Sequence, residues 1–265
     1  MVVLITGASS GFGQLLARTL RGRGHTVFGT SRNPETASAE APLLRLDVRD
    51  DDSVAACLRQ VEAAAGPVDV LVNNAGYLHE GPSEELTMDE LRAIFETNFF
   101  GAVRMTNAVL PSMRARKRGH IVNVGSLAGV IPLPFMGGYS ATKRAIDSYS
   151  ESLYHELKPL GIRVSVVEAG YHSTGLATRK LRTTPSIADY DEQRARMYRT
   201  IAHDEVARSD DPAVVASLLT RIVEGKTTRL RHIFGSYWIT YHLRGLVPER
   251  VWQMGFRLTM GLDRS

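Results

Sequence analysis

Apolar residues recur along this chain in two alternating periods. Short, β-branched runs at Val2 to Thr6, Thr26 to Ser31, Leu43 to Asp47, Val68 to Asn73, His120 to Gly125 and Arg163 to Glu168 read as strands. Between them, Gly13 to Arg23, Ser53 to Ala65, Thr87 to Met113 and Tyr139 to Leu160 carry apolar positions at helical spacing. Strands that are apolar on both faces, alternating with helices, predict an α/β fold: a parallel sheet covered by helices on each side. Asp50 or Asp52 and Thr87 mark helix starts, because their side chains can accept hydrogen bonds from the unpaired first-turn amides. After the sixth strand the alternation stops. Residues 170–202 show no clean period, as expected of a functional lid or a disordered stretch. A helix resumes at Asp211-Pro212, with the aspartate as N-cap and proline in the first turn, and runs through Ile222.

Composition narrows the picture. A chain of 265 residues with 43% hydrophobic content can bury a full core, and no linker composition divides it. We therefore expect a single domain over 1–265, with 170–202 as a substrate-loop insertion and 235–265 as a C-terminal extension; no internal repeat or low-complexity tract appears. The lone Cys57 excludes an internal disulfide, and without clustered histidines there is no metal-site spacing. The first strand begins at Val2, which leaves no room for a leader, and no apolar run approaches the roughly 20 residues that span a bilayer. A reduced, cytoplasmic setting without a transmembrane segment is expected. The net charge of +4 comes from 32 basic and 28 acidic residues scattered along the chain, so no nucleic-acid partner is expected. The one dense basic run, Arg114 to Arg118, falls near a helix end, where cations complement the dipole.

Candidate chemistry sits at the junctions. Thr6-Gly7-Ala8-Ser9-Ser10-Gly11-Phe12-Gly13 lies where the first strand hands over to the first helix. Glycines there let the backbone turn tightly and approach a pyrophosphate, which the amides and the positive helix terminus stabilise. The tip of the second strand decides which dinucleotide fits, since an acidic side chain there would hold the 2′-hydroxyl of NAD. This chain has Thr30-Ser31-Arg32 instead, with a guanidinium able to contact a 2′-phosphate in bidentate fashion, and NADP(H) is favoured. Ser126 follows the fifth strand, and Tyr139 and Lys143 are four apart on one helix face. Reducing a carbonyl by hydride also requires a proton. A free tyrosine, with a pKa near 10, would need a neighbouring ammonium and a positive nicotinamide to lower it. Ser126 would polarise the substrate oxygen.

Together these elements resemble the classical short-chain dehydrogenase/reductase family. The loop spacing is Thr-Gly-x-x-x-Gly-x-Gly, Asn73-Asn74-Ala75-Gly76 closes the fourth strand, and Tyr139-Ser140-Ala141-Thr142-Lys143 lies thirteen residues beyond Ser126. The resemblance covers roughly residues 2 to 225. It implies a Rossmann-type, doubly wound sheet of about seven strands with a C-terminal substrate-lid region. It further implies that Asp47 and Val48 flank the adenine, that Asn74, Ala75 and Gly76 line its ribose, and that Lys143 also bonds the nicotinamide ribose. Asn98, in Thr97-Asn98-Phe99-Phe100-Gly101, would support a water chain to the lysine, and Gly170 and Thr174 would meet the nicotinamide amide. By the same resemblance, the helices over 87–113 and 139–160 build a homodimer or homotetramer. Two departures stand out: Ala169 where the family usually has proline before Gly170, and Phe12 in place of the commoner isoleucine.

The expected substrate is a small carbonyl or alcohol compound, apolar in character because Val130 to Gly138 is apolar enough to line a pocket, although Ile131, Leu133 and Phe135 would serve equally as core or oligomer contacts. The tail, with Tyr237, Trp238, Tyr241, Trp252 and Phe256 among arginines, suits a lid, a dimer surface, an interfacial membrane patch or simple packing on the core. Its style looks like the steroid- and retinol-dehydrogenase branch of the family. His79 and His172 read as ordinary loop residues without a carboxylate or metal partner. The rival readings are a non-catalytic NADP(H)-binding sensor, which would not need Asn98, Ser126, Tyr139 and Lys143 together, and a nucleotide-sugar epimerase, whose glycine spacing and length differ.

Overall fold

The computed structural model describes residues 1–36, 42–170, 180–207, 212–233 and 237–260. Seven parallel strands form one sheet: β1 (Val2–Ile5), β2 (Thr26–Ser31), β3 (Leu44–Arg45), β4 (Val70–Asn73), β6 (Gly119–Val124), β7 (Ile162–Glu168) and β9 (Arg231–Ile233). Their order is β3-β2-β1-β4-β6-β7-β9, so the chain builds outward from β1 on one side and then returns to β4 on the other. That reversal leaves a crevice at the carboxyl ends of β1 and β4, where folds of this kind take their ligands. The seventh strand gives no apolar run to read, because Arg231 and His232 make up most of it; it joins the sheet by pairing with β7 at Val166.

Alternation along each strand divides the core in two. Val3 and Ile5, with Val72, Val122 and Val167, pack against Leu16 and Leu20 of α1 (Gly11–Gly22) and Leu219 and Ile222 of α8 (Pro212–Val223). Leu4, Leu71, Ile121 and Val164 point the other way, against Val61 of α2 (Asp51–Ala65), Met105 and Val109 of α4 (Gly101–Ala115) and Leu153 of α6 (Gly137–Leu157). Asp50 caps α2, accepting from the Ser53 amide at 2.7 Å. Thr87 caps α3 (Met88–Phe95) in a reciprocal box with Glu90.

Three expectations change. The helix expected over 87–113 is broken by a π turn at Glu96–Phe100, and the extra residue in that turn sets Asn98 inward. Residues 170–202 are not wholly irregular: β8 (Leu181–Arg182) pairs with β5 (His79–Glu80), and α7 (Asp191–Ala207) follows. Among its described residues α7 buries Met197 and Arg194 rather than a broad apolar stripe, in keeping with the lack of a helical period in its sequence. His79, read as an unpartnered loop residue, is a buried β5 residue with Nε2 3.6 Å from the Glu90 carboxylate. The proposed N-cap Asp211, as well as His172 and Thr174, lies outside the described residues. The tail forms α9 (Tyr237–Arg244) and α10 (Glu249–Thr259); Phe256 and Met260 pack on a cluster containing Leu78, Phe135, Met136, Tyr139 and Met197. Among the described residues, no helix is long and apolar enough to cross a membrane.

One buried side chain ties the β8–α7 segment down. Glu85 accepts from the Ser186 and Ile187 amides, both at 2.9 Å, from Thr183 Oγ1 at 3.2 Å and from Arg194 Nη2 at 2.5 Å. Glu85→Ala strips four donors of one acceptor and leaves the Arg194 guanidinium buried without it. Limited proteolysis should then cut within 181–207 several-fold faster than in wild type while the sheet stays protected; unchanged cleavage would mean that other contacts hold the segment.

Candidate active site

The glycine loop takes its shape from backbone geometry and from one clamp. Gly7 and Gly11 have φ of 66° and 59°, the left-handed region in which a side chain is strained. A Cβ at Gly13 would come 2.7 Å from the Gly7 carbonyl oxygen, so Gly13 is where α1 passes under the loop. Asn74 Nδ2 donates to the carbonyls of Thr6 and Gly7, both at 2.9 Å, while Thr6 Oγ1 accepts from the amides of Asn74 at 3.0 Å and Ala75 at 2.9 Å. The ends of β1 and β4 are thereby locked together around the loop.

A cavity of about 800 Å³ runs from this loop across the crevice. Gly7, Ser9, Ser10, Gly11 and Phe12 line its middle with Asn74, Ala75 and Gly76; Ser31, Arg32, Asp47 and Val48 line one end; Ser126, Tyr139, Lys143 and Gly170 line the other. The residues suit a dinucleotide: left-handed glycines at the loop, a cation at one end and proton-bearing side chains at the other. Asp47 also closes a local turn, accepting from the Arg49 amide at 3.0 Å and the Arg49 guanidinium Nη2 at 2.6 Å, a pairing that holds its carboxyl below the usual range.

At the far end each side chain has a definite support. Ser126 caps α5 (Leu127–Val130), accepting from the Ala128 amide at 3.2 Å. Lys143 Nζ donates to the Val124 carbonyl at 2.8 Å and stands 5.8 Å from the Tyr139 ring centre. Asn98 does not touch that ammonium. It accepts from the Tyr77 amide at 3.0 Å and donates to the Tyr77 carbonyl at 2.9 Å and to Thr142 Oγ1 at 3.2 Å, so that it and Lys143 flank Gly76 from behind the cavity. An asparagine in a helix needs such partners, and the π turn supplies the geometry.

Burial dominates the electrostatics. It raises the Tyr139 phenol, with Ser126 opposing and Glu168 adding to the rise, and it lowers Lys143 to about 8 against the pull of Glu168. Without the positive nicotinamide, burial sets the direction at Tyr139, and the Lys143 ammonium stands beside the ring on the Val124 carbonyl. Sequence reasoning also passed over Arg49, Tyr77, Leu78 and Glu168. Tyr77 and Leu78 directly follow the Asn-Asn-Ala-Gly run and line the cavity, a proximity that could have flagged them. Ile131, Leu133 and Met136 line it too, whereas Phe135 turns into the core against Tyr190.

Comparison with known proteins decides the family. The short chain dehydrogenase family model matches residues 1–185. This chain belongs to the short-chain dehydrogenase family. A 3-ketodihydrosphingosine reductase of Bacteroides thetaiotaomicron is 38% identical over 232 residues, 87% of this chain and 86% of that protein. A crystal structure of a short-chain dehydrogenase from Streptomyces avermitilis superposes with a TM-score of 0.82 at 34% identity, over 99% of this chain and 98% of the other. A 3-ketoacyl-(acyl-carrier-protein) reductase from Brucella melitensis, complexed with NADH, gives 0.72 at 27% identity over 88% and 94%. The family is one of oxidoreductases that use a nicotinamide cofactor, with ketoreductases among the relatives of this chain.

Asn98→Ala should leave the Tyr77 amide and carbonyl without their side-chain partner, at a cost of about 2 kcal/mol. Urea unfolding checks it: an unchanged midpoint would mean that water replaces both bonds.

Proposed function

We propose that this protein is an NADP(H)-dependent reductase of an apolar carbonyl compound, with Tyr139 as its proton donor. The observation that carries the reading is the convergence of Ser126, Tyr139 and Lys143 at the end of the cavity that begins at the glycine loop. When bound, the dihydronicotinamide supplies the hydride. The Ser126 hydroxyl donates to the carbonyl oxygen and draws negative charge toward it. Tyr139, kept protonated near neutrality by burial, gives that oxygen its proton, which favours the reducing direction. Lys143, fixed by the Val124 carbonyl, holds a positive charge beside the phenol and would also bond a cofactor ribose. Gly170 would face the nicotinamide amide. Tyr139→Phe keeps the ring and removes the proton. NADPH consumption at 340 nm, followed across aldehydes, ketones, 3-oxoacyl thioesters, steroids and quinones, should fall at least about a thousandfold in that variant for any compound the wild type reduces. Comparable turnover in both proteins would dismiss Tyr139 as the donor.

Three guanidiniums support NADP(H) over NAD(H). Arg32, Arg45 and Arg49 line a recess continuous with the cavity at Asp47, whose carboxylate is already engaged by Arg49. Among the described residues lining it, a 2′-phosphate meets cations and no carboxylate other than the one Arg49 holds. Arg32→Asp should weaken NADPH binding by roughly tenfold or more and give NADH relative ground, as one lost charge-assisted contact is worth about 1.5 to 3 kcal/mol. An unchanged preference in a fluorescence titration would take Arg32 out of the site.

The substrate end is apolar. Ile131, Leu133 and Met136 line it, and Phe256 and Met260 close the cluster around Tyr139 from α10, consistent with a lid role for the C-terminal extension. The name of the Bacteroides relative, a reductase of a long-chain sphingoid ketone, agrees with a steroid-, retinoid-, acyl- or polyketide-like substrate. We further infer a cytoplasmic enzyme that assembles as a dimer or tetramer through α4 and α6.

A further inference from the structure

Glu168 ends β7 with a carboxylate that has no solvent exposure, and neither of its oxygens makes a hydrogen bond of ordinary geometry. The strand register sets Val167 opposite Val124, which brings Glu168 beside Gly125. A Cβ on Gly125 would come 2.7 Å from Glu168 Oε2, so the missing side chain at 125 is the space that the carboxylate fills. One residue back, the Val124 carbonyl holds Lys143 Nζ at 2.8 Å. Carboxylate and ammonium therefore stand at adjacent residues of the same strand end, both away from water.

The groups around them come from α6, β9 and the end of β6. α6 presents Tyr139, Lys143 and Asp147 at four-residue spacing on one face. β9 sends Arg231 to Asp147, with Nε at 3.0 Å and Nη2 at 2.5 Å, and on to Glu151 at 3.5 Å; Arg144 reaches Asp147 at 3.4 Å. From the β6 side, Glu168 meets Gly125 and the Ser126 amide. Arg231 engages Asp147 and acts on Glu168 as well, and the one ammonium among these groups is that of Lys143.

A carboxyl group at this apolar strand end costs free energy that a valine would not, unless it has a charge to answer. We propose that Glu168 is the buried counter-charge of Lys143, a positioning residue that keeps the ammonium charged behind Tyr139. The proposal rests on the roles given to Lys143 and Tyr139 above. The electrostatics agree with it. Burial brings Lys143 down to about 8 while Glu168 pulls it up, and burial together with Asp147 brings Glu168 up to about 8 while Arg231 and the Ser126 amide pull it down. Two neighbouring groups that meet at the same pH titrate as a pair. Without the carboxylate, the lysine would lose its proton earlier as pH rises, and the phenol would lose its bias with it.

A thermal-unfolding cycle on the full chain reads the pair without needing a substrate: wild type, Glu168→Gln, Lys143→Met and the double variant, each at pH 5 and pH 8. At pH 5 Glu168 is protonated, and Lys143→Met should cost the same melting temperature in both backgrounds. At pH 8 it should cost several degrees more when Glu168 is present than in the Glu168→Gln background. Equal costs at both pH values overturn the proposal, since glutamine fills the same space and a packing role would not depend on pH. In turnover, the alkaline limb of the reductase profile should move down by about half a pH unit or more in Glu168→Gln; a limb that stays put overturns the link to Tyr139. The Tyr139→Phe comparison is independent of the cycle, so a failed catalytic reading and a failed Lys143 pairing give different results.

Discussion

The clamp between Thr6 and Asn74 fixes everything that the crevice does. Neighbouring parallel strands hold each other through their backbones only as far as their last paired residues, here Ile5 and Val72. Beyond that point the chain goes to opposite sides of the sheet, and the two ends would splay. Four hydrogen bonds from one threonine and one asparagine carry the pairing past the strands and into the loop. Because Asn74 also bonds the Gly7 carbonyl, the left-handed turn at Gly7 and the close approach of α1 at Gly13 are held by the same side chain. A loop preorganised in this way loses little entropy when an anion arrives, which is the condition for tight binding by backbone amides.

The two ends of the cavity obey different electrostatics. At the Arg32 end the guanidiniums of Arg45 and Arg49 are partly solvated, and they would hold an anion by number and fork geometry rather than by a low dielectric. At the Tyr139 end almost no polar group sees water, so each charge there shifts its neighbours strongly. Tyr139 and Glu168 are pushed toward their neutral forms by the same burial that strips the Lys143 ammonium of water. The proposed division of labour, recognition at one end and proton transfer at the other, rests on how deep each end lies in one sheet.

Most of the sheet was legible because buried parallel strands leave long apolar signatures, and the glycine, Asn-Asn-Ala-Gly and Tyr-x-x-x-Lys elements sit at strand ends, where sequence order and spatial order coincide. What escaped was held by side chains distant in sequence. β9 is a three-residue strand made by register with β7, and α7 is fixed by Glu85, some 100 residues upstream. The π turn at Glu96–Phe100 satisfies Tyr77, a demand invisible in its own segment. Glu168 looks from its neighbours like the polar end of an apolar strand. Its environment comes from α6 and β9, and nothing within 162–168 announces it.

The alanine at 169 shows how a departure from a family pattern can spare the site. Ala169 is buried, and its carbonyl accepts from the Leu127 amide at 3.0 Å, tying the end of β7 to the first turn after Ser126. Proline would keep that carbonyl and fix φ besides, so the tie that sets Ser126 does not depend on which residue stands at 169. What alanine gives up is stiffness in the chain leading to Gly170. With β7 paired on both sides through Val167 and Glu168, and Leu127 bonded to the next residue, the backbone is already constrained up to 169 by its partners. The freedom that alanine adds at 169 thus reaches neither Ser126, which caps α5, nor Tyr139 and Lys143 on α6.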